Sequence, residues 1–191
     1  MDVLVISGKT AKTIISGKYE IIISPLVSIL SILKKRPEVV YPKFLDAKAI
    51  INEDLLWEFR KLEFTEDSFS NFIRESKERL EMSKEHVELD KKEGDILESN
   101  AVIYSLLLRL RAFHMIKCIL KKKKYTNKDF QRLVMRKTRI SKKEYEKIYE
   151  IYMAVRDDKK IKTRVEIVVA EKLLGLLEKE IKKYDQKKKK T

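Results

Sequence analysis

The chain has 191 residues, of which 43% are hydrophobic and 39% are charged, and its net charge is +14. This length and apolar content suffice for a hydrophobic core, while the single cysteine, Cys118, excludes an internal disulfide. One cysteine and two histidines also cannot supply the four ligands of a usual structural zinc site. We therefore expect a cytoplasmic globular protein that carries no metal or other cofactor.

The first residues of the chain predict a small β-rich module. Residues 3–7 and 19–23 are rich in β-branched side chains, which favour strands. Gly17 and Lys18 separate two apolar arms in the stretch TIISGKYEII, a pattern typical of a tight hairpin. The sequence therefore predicts that two of the strands are antiparallel neighbours.

One helix completes this predicted module. Pro25 is suited to a helix start, and apolar residues recur on one face until Pro37 ends the pattern. The segment 36–44, RPEVVYPKF, contains two prolines and predicts a connection to the next domain. We place the boundary just after it, which gives a β-rich module at 1–48 and a helical domain at 49–184.

Helix signals repeat throughout the second domain. Asn52 can cap one helix, and Thr65 can cap a second that continues to about residue 92 before Gly94 breaks it. Further along the chain, Thr126 opens a short basic helix. Ser141 and Glu144 form a capping box for the helix that follows.

The segment 99–120 is apolar nearly all round, as in a helix packed centrally among others. It is about long enough to cross a membrane, but Arg109 and Arg111 would be costly inside a bilayer. We therefore interpret it as a buried helix of a protein without a membrane partner.

The last part of the chain is amphipathic. It begins with TRVEIVV, residues 163–169, which is compatible with either a strand or a helix. Residues 185–191 end in four lysines and a threonine, and we expect them to form a disordered basic tail. The predicted fold class is mainly α: a helical bundle preceded by a small β-rich N-terminal module.

The positive charge is concentrated in one stretch. Residues 117–147 contain thirteen Lys or Arg and three acidic residues, whereas residues 64–98 contain eleven acidic and six basic ones. This density is typical of a surface that binds nucleic acid or another polyanion, although a lysine-rich solvated surface is the alternative. The candidate residues for binding DNA or an acidic partner are Lys121, Lys122, Lys123, Lys124, Lys128, Arg132, Arg136, Lys137, Arg139, Lys142 and Lys143.

Residues with catalytic potential do not converge in the sequence. SGKT at 7–10 resembles the end of a phosphate-binding loop, but that motif requires a glycine where Val3 stands. Cys118 lies in an apolar helix, where a thiol is inert, and His114 is interpreted as a packing residue. The sequence therefore favours a binding or scaffolding protein over an enzyme. One aromatic stripe suits either the core or a tyrosine-rich interface: Tyr145, Tyr149 and Tyr152.

The order of the predicted parts matches the pattern of a known family. A small β module precedes the helix pair INEDLLWEFRKLEFTEDSFSNFIRESKERL, a central YSLLLRLRAFHMIKCIL and a capped ISKKEYEKIYEIY. This order resembles subunits of the archaeal GINS complex in which the small domain comes first. The residues that carry the resemblance are Asp67, Ser68 and Phe69 at the start of the second helix, and Arg111, Ile116 and Ile119 in the central one.

The resemblance implies a non-catalytic subunit of a tetrameric DNA replication factor, formed with a sister subunit or with further copies of itself. Such a complex bridges the MCM helicase and a RecJ-like partner at the replication fork. Apolar helix faces would then be buried between subunits, in an interface of about 2,000 Å² or more. The candidate interface residues are Leu55, Leu56, Phe59, Leu62, Tyr104, Leu108 and Arg111.

The basic segment also supports an alternative that does not depend on the resemblance. In this second hypothesis the chain is a stand-alone helical nucleic-acid-binding protein. It would use residues 121–143 for non-specific contacts with phosphates.

Overall fold

A computed structural model of the chain describes residues 2–188. The fold is mainly α-helical, with a small three-stranded sheet at the N-terminal end, which confirms the predicted fold class. The chain divides into two compact units, Met1–Phe69 and Ser70–Thr191. The boundary predicted near residue 48 lies inside the first unit.

The N-terminal unit opens with the three-stranded sheet. Strand β1 (Asp2–Ser7) pairs in parallel with β3 (Tyr19–Pro25), and β2 (Lys12–Ser16) pairs antiparallel with the other side of β3. The strand order is therefore β1-β3-β2. Gly17 adopts a φ of 55° in the two-residue turn between β2 and β3, a conformation that costs glycine little. The predicted hairpin is confirmed.

Three helices follow the sheet in this unit: α1 (Leu26–Lys35), α2 (Pro37–Asp46) and α3 (Glu53–Lys61). The prediction of a connecting segment at 36–44 is wrong, because these residues belong mainly to α2. Pro37 lies in the first turn, where a helix needs no N–H donor. Pro42 removes a hydrogen bond from the helix interior, and that loss is offset by three buried apolar side chains: Val40, Tyr41 and Phe44.

Aromatic packing and one arginine hold α3 against α2. The rings of Phe44 and Phe59 stack with their centroids 4.4 Å apart. The guanidinium of Arg60 donates hydrogen bonds to the carbonyl oxygens of Phe44, at 2.9 Å, and Ala47, at 2.6 Å. The predicted cap is confirmed, because the Asn52 side chain accepts a hydrogen bond from the first turn of α3. These contacts explain why the chain beyond residue 48 still belongs to the N-terminal unit.

The N-terminal unit ends in a 3-10 turn, Glu66–Phe69. The backbone N–H of Thr65 donates to the hydroxyl of Ser68 at 3.2 Å, so the two residues close the turn locally. Phe69 is fully buried. The long helix predicted to start at Thr65 therefore begins with this tighter turn, and its α-helical part starts at Ser70.

The second unit is a bundle of helices: α4 (Ser70–Glu93), α5 (Asn100–Leu120), α6 (Asn127–Thr138), α7 (Lys142–Arg156) and α8 (Ile167–Lys188). Helix α4 ends just before Gly94, Thr126 caps α6, and Ser141 forms a capping box with Glu144 at α7, as predicted. Helix α5 packs against α4, α7 and α8 and buries apolar side chains along its whole length. It is the central helix that its composition predicts.

The segment 163–169 contains both of the structures that its sequence allows. Val165–Glu166 forms a short strand, β5, which pairs antiparallel with β4 at Ile96–Leu97. Helix α8 begins at the next residue and continues to Lys188. It therefore includes residues 185–188 of the predicted basic tail, while residues 189–191 lie outside the described part of the chain.

One carboxylate is buried inside the helical bundle. Glu180 is 3% exposed and accepts hydrogen bonds from the ammonium groups of Lys117 and, at 2.8 Å, Lys183. Burial favours the neutral acid, but the two lysines outweigh this effect and hold the pKa of Glu180 below its ordinary value. Glu180 is therefore a charged residue that ties α8 to α5.

Candidate nucleic-acid interface

The predicted basic residues lie on one continuous stretch of the helical unit. This stretch runs from the end of α5 through a loop, helix α6 and a short turn to the start of α7. All eleven side chains are exposed, so none is used to build the core. We call this set the cationic surface: Lys121, Lys122, Lys123, Lys124, Lys128, Arg132, Arg136, Lys137, Arg139, Lys142 and Lys143.

Helix α6 separates its positive charges from its apolar residues. Phe130 and Val134 are buried and fix the inner face of the helix against the bundle. Lys128, Arg132 and Arg136 recur at every fourth residue and are exposed, which places them in one row on the outer face. We call this row the α6 stripe. Successive charges in it are about 6 Å apart along the helix axis.

The outer face of α7 differs from that of α6. Lys142 and Lys143 are exposed at its first turn, but Glu146 and Glu150 follow on the same exposed side of the helix. Lys142 already forms an ion pair with Glu146, at 3.7 Å. Helix α6 also has one exposed carboxylate, Asp129, which pairs with Arg132 at 3.4 Å. Because carboxylates repel phosphates and α7 exposes more of them, α6 presents the stronger surface for an anionic polymer.

Two residues of the cationic surface end helices in a left-handed conformation. Lys122 has a φ of 51° after α5, and Arg139 has a φ of 55° after α6. Beyond α5 the N–H of Lys123 bonds to the carbonyl of Cys118 and the N–H of Lys122 to that of Ile119. This is the hydrogen-bond pattern of a Schellman motif. The helix end is therefore satisfied by backbone groups, and the lysine side chains remain exposed.

Arg111 anchors the loop of the cationic surface to the bundle. Its guanidinium donates one hydrogen bond to the hydroxyl of Tyr125, at 3.0 Å, and another to that of Tyr152, at 3.1 Å. The Tyr125 hydroxyl in turn donates to Asn127 at 2.8 Å. Burial raises the pKa of Tyr125 to about 12, so the phenol keeps its proton at neutral pH. The network joins α5, the loop and α7.

The tyrosine stripe of α7 forms a stack that includes a residue of α5. The rings of Tyr145, Tyr149 and Tyr152 lie with successive centroids 5.9 Å apart, and Tyr104 stacks on Tyr152 at 5.4 Å. Tyr145 and Tyr152 are buried, whereas Tyr149 is half-buried. Of the two alternatives for this stripe, packing within the bundle accounts for its buried members.

His114 and Cys118 are neighbours on α5, with the sulfur 4.0 Å from the imidazole Nε2. His114 also packs between Tyr125 and Phe130. Burial lowers the pKa of His114 and raises the pKa of the Cys118 thiol, so both groups favour their neutral forms. Residues 2–188 also contain no group of three or more His, Cys, Asp or Glu side chains that could hold a metal ion.

The seven predicted subunit-interface residues differ in how far they are covered within their own unit. Phe59 is buried against Phe44, and Arg111 is half-buried in its tyrosine network. Leu62 and Leu108 are each 38% exposed. The other three are half-buried: Leu55, Leu56 and Tyr104. Periodicity identifies such faces as apolar, but it does not indicate which of them the chain itself covers.

The exposed apolar surface lies elsewhere, mainly in the N-terminal unit. Most large apolar side chains that are more than a third exposed belong to residues 2–69. Ile50 and Ile51 are almost fully exposed in the loop before α3, and Trp57 is exposed on α3 itself. The others in this unit lie on the sheet, on α1 and α2, and at Leu62 just after α3. The apolar run VLVI of β1 and the pair Ile14–Ile15 of β2 are the sequence signal for part of this surface.

Comparison with known proteins identified no relative of this chain: no protein-family model, curated protein or solved structure matches it. Among the helices of residues 2–188, none is both long enough and apolar enough to cross a membrane.

Proposed function

We propose that this chain is a non-catalytic assembly subunit of a DNA replication complex of the GINS kind. The observation that carries the proposal is the separation of two surface types between the two units. Exposed apolar side chains are concentrated in the N-terminal unit, whereas the helical unit carries the exposed cationic surface. Apolar surface is suited to lasting contact with a companion chain, and cationic surface is suited to a polyanion.

The cationic surface would bind DNA through its phosphates. Each lysine or arginine that neutralises a phosphate releases condensed counterions, so affinity falls steeply with salt. The three charges of the α6 stripe follow one another along the helix, and Arg132 among them is paired with Asp129 at 3.4 Å. Such a row contacts the backbone of a nucleic acid and does not read bases, which fits a factor that holds DNA of any sequence.

The apolar surface of the N-terminal unit would bind the companion chain. That companion is a sister subunit or a further copy of this chain. The resemblance in the order of parts suggests the further partners, the MCM helicase and a RecJ-like protein. In this proposal the chain positions other proteins on DNA and performs no chemistry itself.

Two measurements on the purified chain test the proposal. Size-exclusion chromatography with light scattering gives the mass of the chain alone and mixed with candidate sister subunits, at low and high salt. We expect an oligomer that persists in high salt, because an apolar interface does not depend on ionic attraction. A monomer at micromolar concentration that recruits no helicase component from a cell extract would contradict the assembly role.

The second measurement is the salt dependence of duplex DNA binding. If about five residues of the cationic surface contact phosphates, log affinity falls against log salt with a slope of about −4 to −5. Replacing the α6 stripe by glutamine, in Lys128→Gln, Arg132→Gln and Arg136→Gln together, should reduce the magnitude of the slope by about 2.5 to 3. The matched control removes the same charge from the N-terminal unit: Lys34→Gln, Lys35→Gln and Lys48→Gln.

The α6 stripe also favours the second candidate, a stand-alone nucleic-acid-binding protein. The two candidates differ in mass and not in salt dependence. A steep slope together with a monomer that ignores sister subunits would support the stand-alone protein. A slope near zero for both the original chain and the α6-stripe variant would exclude direct binding.

A further inference from the structure

The connection between α6 and α7 is a three-residue turn. Arg139 begins it with a φ of 55°, in the left-handed region that often ends a helix. Ile140 is 4% exposed and fastens the turn to the core. Ser141 ends the turn by capping α7. Two helices joined by a turn of this length have the order of a helix-turn-helix motif.

Both helices and the turn have an inner side held in the bundle. Buried residues recur from one helix through the turn to the other: Val134, Thr138, Ile140, Tyr145 and Ile148. Helix α6 contacts α7 and α8, and α7 also packs against the central helix α5. The first turns of α7 are therefore fixed by packing on one side and exposed on the other.

The exposed side of the first two turns of α7 carries charges of both signs: Lys142, Lys143, Glu146 and Lys147. A surface for phosphates alone gains nothing from a carboxylate. Base edges in the major groove differ, because they present acceptors that suit lysine and a cytosine amino group that suits glutamate. Lys142 is paired with Glu146 at 3.7 Å, whereas Lys143 and Lys147 lie four residues apart on one side of the helix. This side of α7 is therefore better suited to a groove than to a row of phosphates.

We propose that α6 and α7 form a DNA-binding helix-turn-helix. The first turns of α7 enter the major groove of duplex DNA, where Lys143 and Lys147 reach the base edges, and the α6 stripe contacts phosphates beside the groove. In this motif the second helix occupies the groove and the first crosses the backbone, which matches the division of charge between α7 and the α6 stripe. The inference rests on the proposed function, since it takes the cationic surface as the DNA-binding surface, and it adds the form of DNA and the manner of docking.

The dimensions of the groove separate DNA duplexes from RNA duplexes. An α-helix with its side chains is about 10–12 Å across, and the major groove of B-DNA is about 12 Å wide, so it admits a helix. The major groove of an RNA duplex is deep and narrow, and side chains cannot read it. Duplexes of equal length carry the same number of phosphates in both cases. Docking in the groove therefore predicts a preference for DNA that phosphate contacts alone do not produce.

Fluorescence anisotropy with a DNA duplex and an RNA duplex of the same sequence and length, at the same salt concentration, measures this preference. We expect the full chain to bind the DNA duplex at least about tenfold more tightly than the RNA duplex. Binding through phosphates alone would give similar affinities for the two duplexes.

Two sets of substitutions separate the groove contacts from the phosphate contacts. Lys143→Gln with Lys147→Gln should weaken DNA binding and reduce the preference for DNA over RNA by at least about threefold. The α6-stripe variant should weaken binding to both duplexes and keep the preference, because its residues contact phosphates. The matched control, Lys92→Gln with Lys179→Gln on α4 and α8, should change either affinity by less than about twofold. Circular dichroism of each variant verifies that it is folded.

Each outcome decides the inference. Equal affinities for the two duplexes, or tighter binding of RNA, refute docking in the groove and leave phosphate binding by the cationic surface intact. A preference for DNA that survives in the folded Lys143 and Lys147 variant assigns the groove contact to another element and also refutes it. Failure of both duplexes to bind overturns the inference together with the direct DNA binding of the proposed function. The mass measurement reports separately on the assembly role.

Discussion

The buried carboxylate of Glu180 gives the sharpest test of what holds the helical bundle together. The substitution Glu180→Gln preserves the shape of the side chain and removes its charge. In the native chain this carboxylate is 3% exposed and accepts hydrogen bonds from Lys117 and Lys183. The variant would leave both ammonium groups without their anion.

The expected cost follows from how far each partner is exposed. Removing one partner of a fully buried ion pair costs about 3–5 kcal/mol, because the other charge remains buried. The side chain of Lys117 is 31% exposed and that of Lys183 is 53% exposed, so both ammonium groups can recover part of their hydration. We therefore expect Glu180→Gln to lower the free energy of unfolding by about 2 kcal/mol at pH 7.

Urea unfolding followed by circular dichroism measures this difference. The matched control is Glu178→Gln, on the same helix, whose carboxylate is 37% exposed and paired with Lys84 and Lys182. Exposed pairs contribute little, and the control should change the free energy of unfolding by less than about 0.5 kcal/mol. Equal effects of the two substitutions would refute the reasoning, since burial would then not matter.

The stability difference between the original chain and Glu180→Gln has a predictable pH dependence. Because the folded-state pKa of Glu180 is lowered, its charge stabilises the fold above the unfolded-state pKa of about 4.3. That contribution is lost as the pH falls through the folded-state pKa. The difference between the original chain and Glu180→Gln should therefore be complete at pH 7 and shrink under acid conditions.

Three further substitutions test local hydrogen bonds. Asn52 caps α3 at a φ of 60°, and Asn52→Ala should destabilise the N-terminal unit by about 1–2 kcal/mol because it removes the cap and strains the backbone. Asn52→Gly should cost only a few tenths of a kcal/mol. Trp57 fluorescence in urea measures both differences. Ser141→Ala breaks the capping box of α7 and should cost about 1 kcal/mol in chemical unfolding at pH 7. Tyr152→Phe removes one acceptor of Arg111 and should cost about 1.5 kcal/mol, measured by thermal unfolding.

Helix starts were predictable because their signals are local. Asn52, Thr126 and Ser141 each accept a hydrogen bond from the N–H three residues ahead, so residue type and spacing contain the whole interaction. The central position of α5 was also predictable, since a helix apolar on nearly every side must be surrounded. These features depend on few residues that are close together in the sequence.

Features that depend on distant residues were not predictable in the same way. Proline signals at 36–44 indicate a break, yet burial of Tyr41 and Phe44 stabilises α2 around Pro42. The parallel pairing of β1 with β3 joins residues about 18 positions apart, and no local pattern specifies it. Tertiary packing overrides local propensity at both places.

The cationic surface was predictable from the sequence, whereas the exposed apolar surface was not. A lysine or arginine is rarely buried without a partner, so its position on the surface follows from its type alone. An apolar residue is exposed only if the rest of the chain fails to cover it. Phe59 is therefore buried although its periodicity suits an interface, while Val5 is exposed in a run that suits a core.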